Sequence, residues 1–289
     1  MSDQVTVARH QQFNAMVKHL LQQRGSKLRS TVTNSTHSGR QAVALDQVGS
    51  VEALEQRTRH EDLPVVSVPH RRRWVFPKRR HFREFVDRAD TLRMLWEPGN
   101  KYAESFAMSL GRAQDSAIIA AATGTAVVGE VGDGSETEAF DTAYQVASGG
   151  VGMTMDKLRL GLELLEAAEV DPSEEEIYLV VAARQARELR NETQVISRDY
   201  QPEYTLKDGR LNTLLGFNIK RTQRLALSGG VRTCLLYAKS GIDFSTWEDT
   251  RTPIDWIPEK QAWQVAATGD FGATRLEQGR VVSILCAEA

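Results

Sequence analysis

The residues best equipped for functional contacts lie in one short run, HRRRWVFPKRR, at positions 70–80. Arg71, Arg72, Arg73, Lys78, Arg79 and Arg80 surround Trp74, Phe76 and Pro77, and Arg83 follows closely. Guanidinium groups bind phosphates and aromatic rings stack on bases, so such a strip can grip a nucleic acid. The same charges can instead be answered by acidic groups of another protein chain, which sets register and excludes wrong partners. A counterpart for this second reading is present in the same sequence. Residues 124–152 are glycine-rich and carry Glu130, Asp133, Glu136, Glu138 and Asp141 with no Lys or Arg.

Charge is distributed to match. The net charge of −2 conceals a basic first hundred residues, with 17 Lys/Arg against 10 Asp/Glu, and an acidic remainder, with 19 against 28. That division suits a chain whose two ends meet opposite ends of its own copies, and it also suits one basic nucleic-acid-binding module on an acidic body.

Catalytic and metal chemistry finds no foothold in the sequence. All six histidines precede residue 82, and both cysteines, Cys234 and Cys286, follow residue 233, so no Cys/His cluster has metal-ligand spacing. Neither a Gly-x-x-x-x-Gly-Lys-Ser/Thr loop nor a Gly-x-Ser-x-Gly elbow occurs. GTAVVGEVGDG runs into acidic sequence that would repel a phosphate, and DGSETEAFD lacks the ordered ligands of a calcium loop. Glu174, Glu175 and Glu176 follow Asp171, Pro172 and Ser173, a turn or helix start where acids are favoured by the helix dipole. Cys234 reads as a strand-core residue, and Trp247, Trp256 and Trp263 read as packing in a closing sheet. No catalytic residue, cofactor or metal is therefore expected. The two distant cysteines suggest buried thiols in a reducing compartment. No stretch reaches the ~20 apolar residues needed to cross a bilayer, and the first twenty residues lack the apolar core of a secretory signal.

The elements that would position the strip follow from periodicity. Phe13, Met16, Val17, Leu20 and Leu21 form a helical stripe over residues 5–23. Residues 30–38 carry no core pattern. Valine-rich segments on either side of the polar run EQRTRHED predict an exposed two-stranded excursion, marginal alone in water. A short helix is expected over 86–95, a break at Pro98 and Gly99, and then a long helix whose stripe is Tyr102, Phe106, Leu110, Ala113, Ala117 and Ala121. Residues 155–245 alternate helix and strand, with Thr154 as a helix cap. In the tail, Val281, Ser283 and Leu285 alternate with Val282, Ile284 and Cys286, so both faces should be covered; these strands are expected to pack on the long helix.

The order of these pieces resembles the major capsid proteins of tailed bacteriophages with the Hong-Kong-97-type fold, an α+β architecture. RRWVFP followed by DRADTLRML and YAESFAMSLGRAQDSAIIAAATGTA is similar to that family's passage from extended loop to spine helix. LNTLLGFNI and YAKSGI resemble its middle domain, and PEKQAWQV and FGATRLEQGRVVSILCAE resemble its ending. The resemblance implies an N-terminal arm (1–30), an extended loop (31–80), and a peripheral domain (81–154) with a spine helix over about 101–122. It further implies an axial domain (155–245) and C-terminal strands (246–289) returning to the peripheral domain. Implied partners are further copies of the chain in hexamers and pentamers, a separate scaffolding protein, a portal, a decoration or cement protein, and non-specifically held double-stranded DNA. The implied location is the virion capsid, assembled in the host bacterial cytoplasm. One branch of the family joins a lysine and an asparagine of different subunits covalently. Residues 31–80 hold a single lysine, Lys78, so that chemistry is not expected here. On this reading Arg71–Arg83 meets the acidic loop at 130–141 of an adjoining subunit; the alternative remains a phosphate track.

Overall fold

The computed structural model describes residues 22–40, 42–49, 51–53, 55, 65–87, 98–192 and 212–288. The helix expected over 5–23 lies almost wholly outside the described residues, as does most of the one expected over 86–95. In chain order the strands are β1 (Thr33–Thr36), β2 (Ala42–Val48), β3 (His70–Val75) and β4 (Lys78–Asp87). Helix α1 (Pro98–Thr123) is followed by β5 (Ala126–Val128), β6 (Thr137–Glu138) and β7 (Gln145–Val146). Then come α2 (Met155–Ala167), β8 (Ile177–Val181), α3 (Ala183–Asn191), β9 (Thr213–Leu214), β10 (Phe217–Arg221) and β11 (Leu227–Ser228). The chain closes with β12 (Val231–Ala238), β13 (Ile242–Arg251), β14 (Ile254–Ile257), β15 (Ala262–Arg275) and β16 (Val281–Ala287).

Three sheets result. A five-stranded sheet has the order β1-β13-β15-β14 with β4 also on β15, a seven-stranded sheet runs β7-β16-β12-β8-β10-β9 with β11 on β12, and a four-stranded sheet runs β2-β3-β5-β6. Helix α1 has 26 residues, about 39 Å at 1.5 Å per residue, and lies along β15, β13 and β4. It begins at Pro98, so Pro98 and Gly99 form its first turn instead of a break before it. Proline is tolerated there because the first amides of a helix have no intrahelical acceptor. Thr154 caps α2 as expected, its hydroxyl accepting from Lys157 N.

Two expectations change. Residues 31–36, expected without core pattern at the start of the extended loop, are held in a sheet: Thr31 and Val32 are buried and β1 pairs in parallel with β13. The polar composition hid this because the contacts are polar. Thr31 shares a hydrogen bond with the Tyr237 hydroxyl, and Ser35 donates to Asp243. The tail also divides. β15 packs on α1 as expected, but β16 pairs with β12 from Val231↔Ala287 to Tyr237↔Val281 in the seven-stranded sheet. Its two apolar faces demand cover on both sides, and a strand inside that sheet has it, with Val281, Val282, Ile284 and Cys286 all fully buried. Cys234 is also fully buried, so both thiols are core residues.

The chain passes between the two larger sheets at residues 239–241 and again at 276–280, and these crossings hydrogen-bond to each other through Leu276 N to Gly241 O and Ala238 N to Arg280 O. Two of the three acids at 174–176 serve this junction. Glu175 pairs with Arg280 and Glu176 with Lys239, while Tyr178 donates to Glu176 at 2.9 Å. Burial first, and the Glu176 carboxylate second, push the Tyr178 hydroxyl up to about 12.

At the chain's end Arg232 grips Glu288 through Nε (2.8 Å) and Nη2 (3.0 Å), and Gln185 donates to the same carboxylate. The Arg232 hydrogen bond, then the Gln185 bond, hold Glu288 at about 2 against an ordinary 4.5. A carboxylate with a depressed folded-state pKa stabilises the fold above its unfolded value, and that contribution is lost as pH falls through the folded one. Glu288→Gln is therefore expected to lower the urea midpoint at neutral pH, with the gap to wild type narrowing below pH 4.5 and closing near pH 2. A gap that does not vary with pH would show that the carboxylate charge is immaterial.

Candidate assembly interface

The basic strip is two structures, not one. Pro77 has no amide hydrogen and the residue before a proline is held extended, so the ladder of β3 stops at Val75 and β4 starts on a different sheet at Lys78. β15 passes directly beneath this corner. A Cβ on Gly272 would lie 2.4 Å from Phe76 O, so only glycine lets the strand through.

The β3 half is an interior strand between β2 and β5, with Arg73 opposite Leu45 on one side and Val128 on the other. Arg73 is only 3% exposed, and its Nη2 meets Glu138 Oε2 at 2.6 Å. Trp74 Nε1 donates to Gly129 O at 2.7 Å, and its ring lies flat on Gly132, where a Cβ would fall 2.2 Å from the indole. Arg72 Nε contacts Asp46 at 2.5 Å, and that hydrogen bond raises the guanidinium pKa. Arg71 is exposed. The acidic segment, expected to reach the strip of an adjoining subunit, thus already covers half of the strip in its own chain. Arg73, Trp74 and Glu138 are occupied inside the subunit because an arginine on an interior strand must have a carboxylate beside it.

A second buried cation completes this cluster, and sequence reasoning missed it. Arg275, at the end of β15, is fully buried and donates through Nη1 to Ala122 O (3.0 Å) and Gly124 O (2.8 Å) at the C-terminus of α1. Its Nη2 reaches Glu138 O at 3.4 Å, and its guanidinium lies 5.2 Å from the centre of the Phe140 ring. Helix-end carbonyls carry partial negative charge, so a cation there is favoured. Burial, with Arg73 adding to it, lowers the Arg275 pKa to about 10. The sequence signal was slight: a lone arginine at the end of the apolar, glycine-spaced run FGATR.

The β4 half faces outward. Among the described residues β4 pairs only with β15, along its full length from Lys78↔Phe271 to Asp87↔Ala262, which makes it an edge strand there. Lys78, Arg79, Arg80 and Arg83 are all exposed. Successive side chains take opposite faces. Phe82 stacks towards Phe106 of α1 at 6.0 Å, while Arg83 and Lys260 sit over Phe85 at 5.0 and 4.1 Å. Among the described residues, Arg79 is the one of these cations with an ion pair, a 3.8 Å contact to Glu248 between exposed side chains, worth ~0–1 kcal/mol.

The remaining acids are also exposed. Glu130, Asp133 and Glu136 line a groove of about 1120 Å³ between the β2–β3 hairpin and the β5–β6 segment, with Asp46, Arg71 and Arg72 on the opposite wall. Asp133 accepts from Ser135 Oγ (2.6 Å) and N (2.9 Å), which lowers its pKa. Asp141 caps a short 3-10 turn by accepting from Ala143 N. Trp256 and Trp263, expected as packing, meet edge-on at 5.3 Å and are each more than a third exposed near the β14–β15 turn. Among the described residues no group of three or more His, Cys, Asp or Glu side chains could hold a metal ion, and no helix is long and apolar enough to cross a membrane.

Removing the carboxylate from the Arg73–Glu138–Arg275 cluster tests its weight. Glu138→Gln should cost about 2–3 kcal/mol by urea unfolding, somewhat under the ~3–5 kcal/mol for a fully enclosed pair because Glu138 is partly exposed. Replacing the pair by Arg73→Met with Glu138→Leu should recover most of that loss. A Glu138→Gln protein as stable as wild type would remove the cluster from the list of structural locks.

Comparison with known proteins places this arrangement. Capsid structures are similar over almost the whole chain at low identity. The structure described as Mycobacterium phage Che8 has a TM-score of 0.74 at 14% identity, covering 95% of this chain and 96% of that one. The capsid of Cyanophage P-SCSP1u gives 0.72 at 13%, covering 99% and 95%, and the capsid of a native GTA particle gives 0.72 at 13%, covering 97% and 96%. A search of curated proteins found no match. The fold is thus the Hong-Kong-97-type capsid fold expected from the motif order. The model of the phage capsid protein family matches residues 5–288, and the chain belongs to that family.

Proposed function

We propose that this chain is the major subunit of an icosahedral phage shell, assembling into hexamers and pentamers around packaged double-stranded DNA. Within that shell, the exposed half of the strip (Lys78, Arg79, Arg80 and Arg83) on one subunit meets the acidic wall (Glu130, Asp133 and Glu136, with Asp141 at its end) on the next. One observation carries this pairing. After internal neutralisation the chain still presents a basic edge strand on one sheet and an acidic groove on another, each with almost no ion pair among the described residues. Two unlike, complementary patches on one molecule produce head-to-tail contacts, which close into rings when the rotation allows. The role is structural. A separate scaffolding protein, a portal and a decoration protein are the expected assembly partners, and the virion capsid, built in the host cytoplasm, is the expected location.

Individually the contacts are weak, ~0–1 kcal/mol each, but they recur at every subunit and fix register. Arg79→Glu with Arg80→Glu should leave the isolated subunit folded by circular dichroism while abolishing shells in electron micrographs. Adding Glu130→Lys and Glu136→Lys should restore some assembly. Normal shells from the doubly reversed strip would refute the pairing, and an absence of shells or capsomers from the wild-type chain with its scaffolding protein would refute the shell reading itself.

A further inference from the structure

A different surface gathers the cations that the strip does not use. Residues 22–29, the middle of α1 and residues 221–224 meet on one face, and three of the side-chain hydrogen bonds that join them come from cations. Arg112 Nη1 donates to Gln22 Oε1 at 2.7 Å, Lys27 Nζ to Arg221 O at 3.0 Å, and Arg224 Nε to Ser116 Oγ at 2.7 Å. These bonds bring together Arg24, Lys27, Arg112, Arg221 and Arg224 from three separated segments. Arg24, Lys27 and Arg224 are exposed, and Arg112 and Arg221 are half-buried. None of the five takes part in the ion pairs found among the described residues.

The single carboxylate at the centre of this face does not neutralise them. Asp115 is fully buried, and its oxygens are taken by Ser26 Oγ (2.6 Å), Lys27 N (3.0 Å), Leu28 N (3.0 Å) and the Gln23 side chain. It serves to clamp residues 23–28 onto α1. The clamp also holds the cations in place. Among the described residues Arg224 spends only Nε, on Ser116, with both terminal nitrogens unused, and Arg112 uses Nη1 but not Nη2. A guanidinium whose stem is pinned while its terminal N–H groups face outward is pre-organised for phosphate oxygens. No aromatic side chain belongs to the cluster, so it offers no stacking platform for unpaired bases.

We propose that this face, formed by residues 22–29, the middle of α1 and residues 221–224, is the seat of the phosphate backbone of double-stranded DNA. The inference rests on the shell reading for its biological setting and implies that this face points into the lumen. Binding is sequence-independent, because every contact is to phosphate.

The test is fluorescence anisotropy of the full-length, unassembled chain with a labelled duplex of about 30 base pairs, between about 50 and about 200 mM salt. Five phosphate contacts predict a slope of about −4.5 in log affinity against log salt, a loss of roughly five hundredfold across that range. Arg24→Gln, Lys27→Gln, Arg221→Gln and Arg224→Gln together should reduce the slope to about −1 and weaken binding more than about a hundredfold at low salt. The milder Arg24→Gln with Arg224→Gln, both exposed, should remove about two units of slope without disturbing the fold. Arg79→Gln, Arg80→Gln and Arg83→Gln should leave the slope unchanged. The proposal is overturned if the wild-type chain does not bind duplex, if the double and quadruple variants bind as wild type does, or if the strip variant is the one that fails. It is also overturned if a polyglutamate peptide competes as well as duplex, which would assign the face to an acidic protein partner. Because the measurement uses unassembled subunits, its failure is separate from a failure to form shells.

Discussion

Two guanidinium groups buried at Glu138, Arg73 on its carboxylate and Arg275 on its backbone carbonyl, set the terms for the rest of this molecule. Arg73 enters from the hairpin sheet, Arg275 from the end of the longest strand, and Glu138 from the acidic segment, with the carbonyls at the end of α1 supplying the remaining negative charge. A charge removed from water is tolerable only when its counter-charge and hydrogen bonds accompany it. That requirement brings the three-way junction of hairpin, helix and five-stranded sheet to one place. It also explains why a hairpin that would be marginal alone is held at its base by its own subunit, through β5 and β6.

From that junction the division of the arginines follows. On the β3 side of Pro77 the charges are covered and hold the subunit together; on the β4 side they lie along an uncovered edge. Charged residues on an edge strand deter indiscriminate strand pairing while leaving the edge open to an acidic surface of matched register. A third set, clustered beside the Asp115 clamp, joins segments of the subunit by hydrogen bonds, makes no ion pair among the described residues and lies off that edge. One basic sequence thereby supplies a lock, a candidate inter-subunit contact and a candidate polyanion face, separated by which sheet or helix each arginine belongs to.

Much of the architecture was legible beforehand because it rests on local signals. The existence of the long helix, the Thr154 cap, the solid apolar run of β8 and the two-faced apolar pattern of β16 are each written in consecutive residues. The helix stripe itself lies one step off the expected one: of Tyr102, Phe106, Leu110, Ala113, Ala117 and Ala121 only Leu110 is buried, and Gln114, Asp115, Ile118 and Ala122 complete the covered face. The polar stretch at 31–36 misled because its cover comes from Tyr237 and Asp243, some two hundred positions away. Arg73, Arg79 and Arg80 could not be told apart in the sequence either. They share a residue type and a neighbourhood, and differ only in whether a strand lies on both sides.

The linear order of residues by itself determined the elements, the unequal charge of the two halves, and the motif order that ties the chain to phage capsid proteins. Periodicity and capping act over a few residues, so they can be read without a fold. Only the tertiary structure decided that β16 crosses into the central sheet, that Arg275 ends against the carbonyls of α1, and that cations from three distant segments share one face. Burial and charge pairing are properties of neighbours in space, and those neighbours exist only once the sheets have closed around α1.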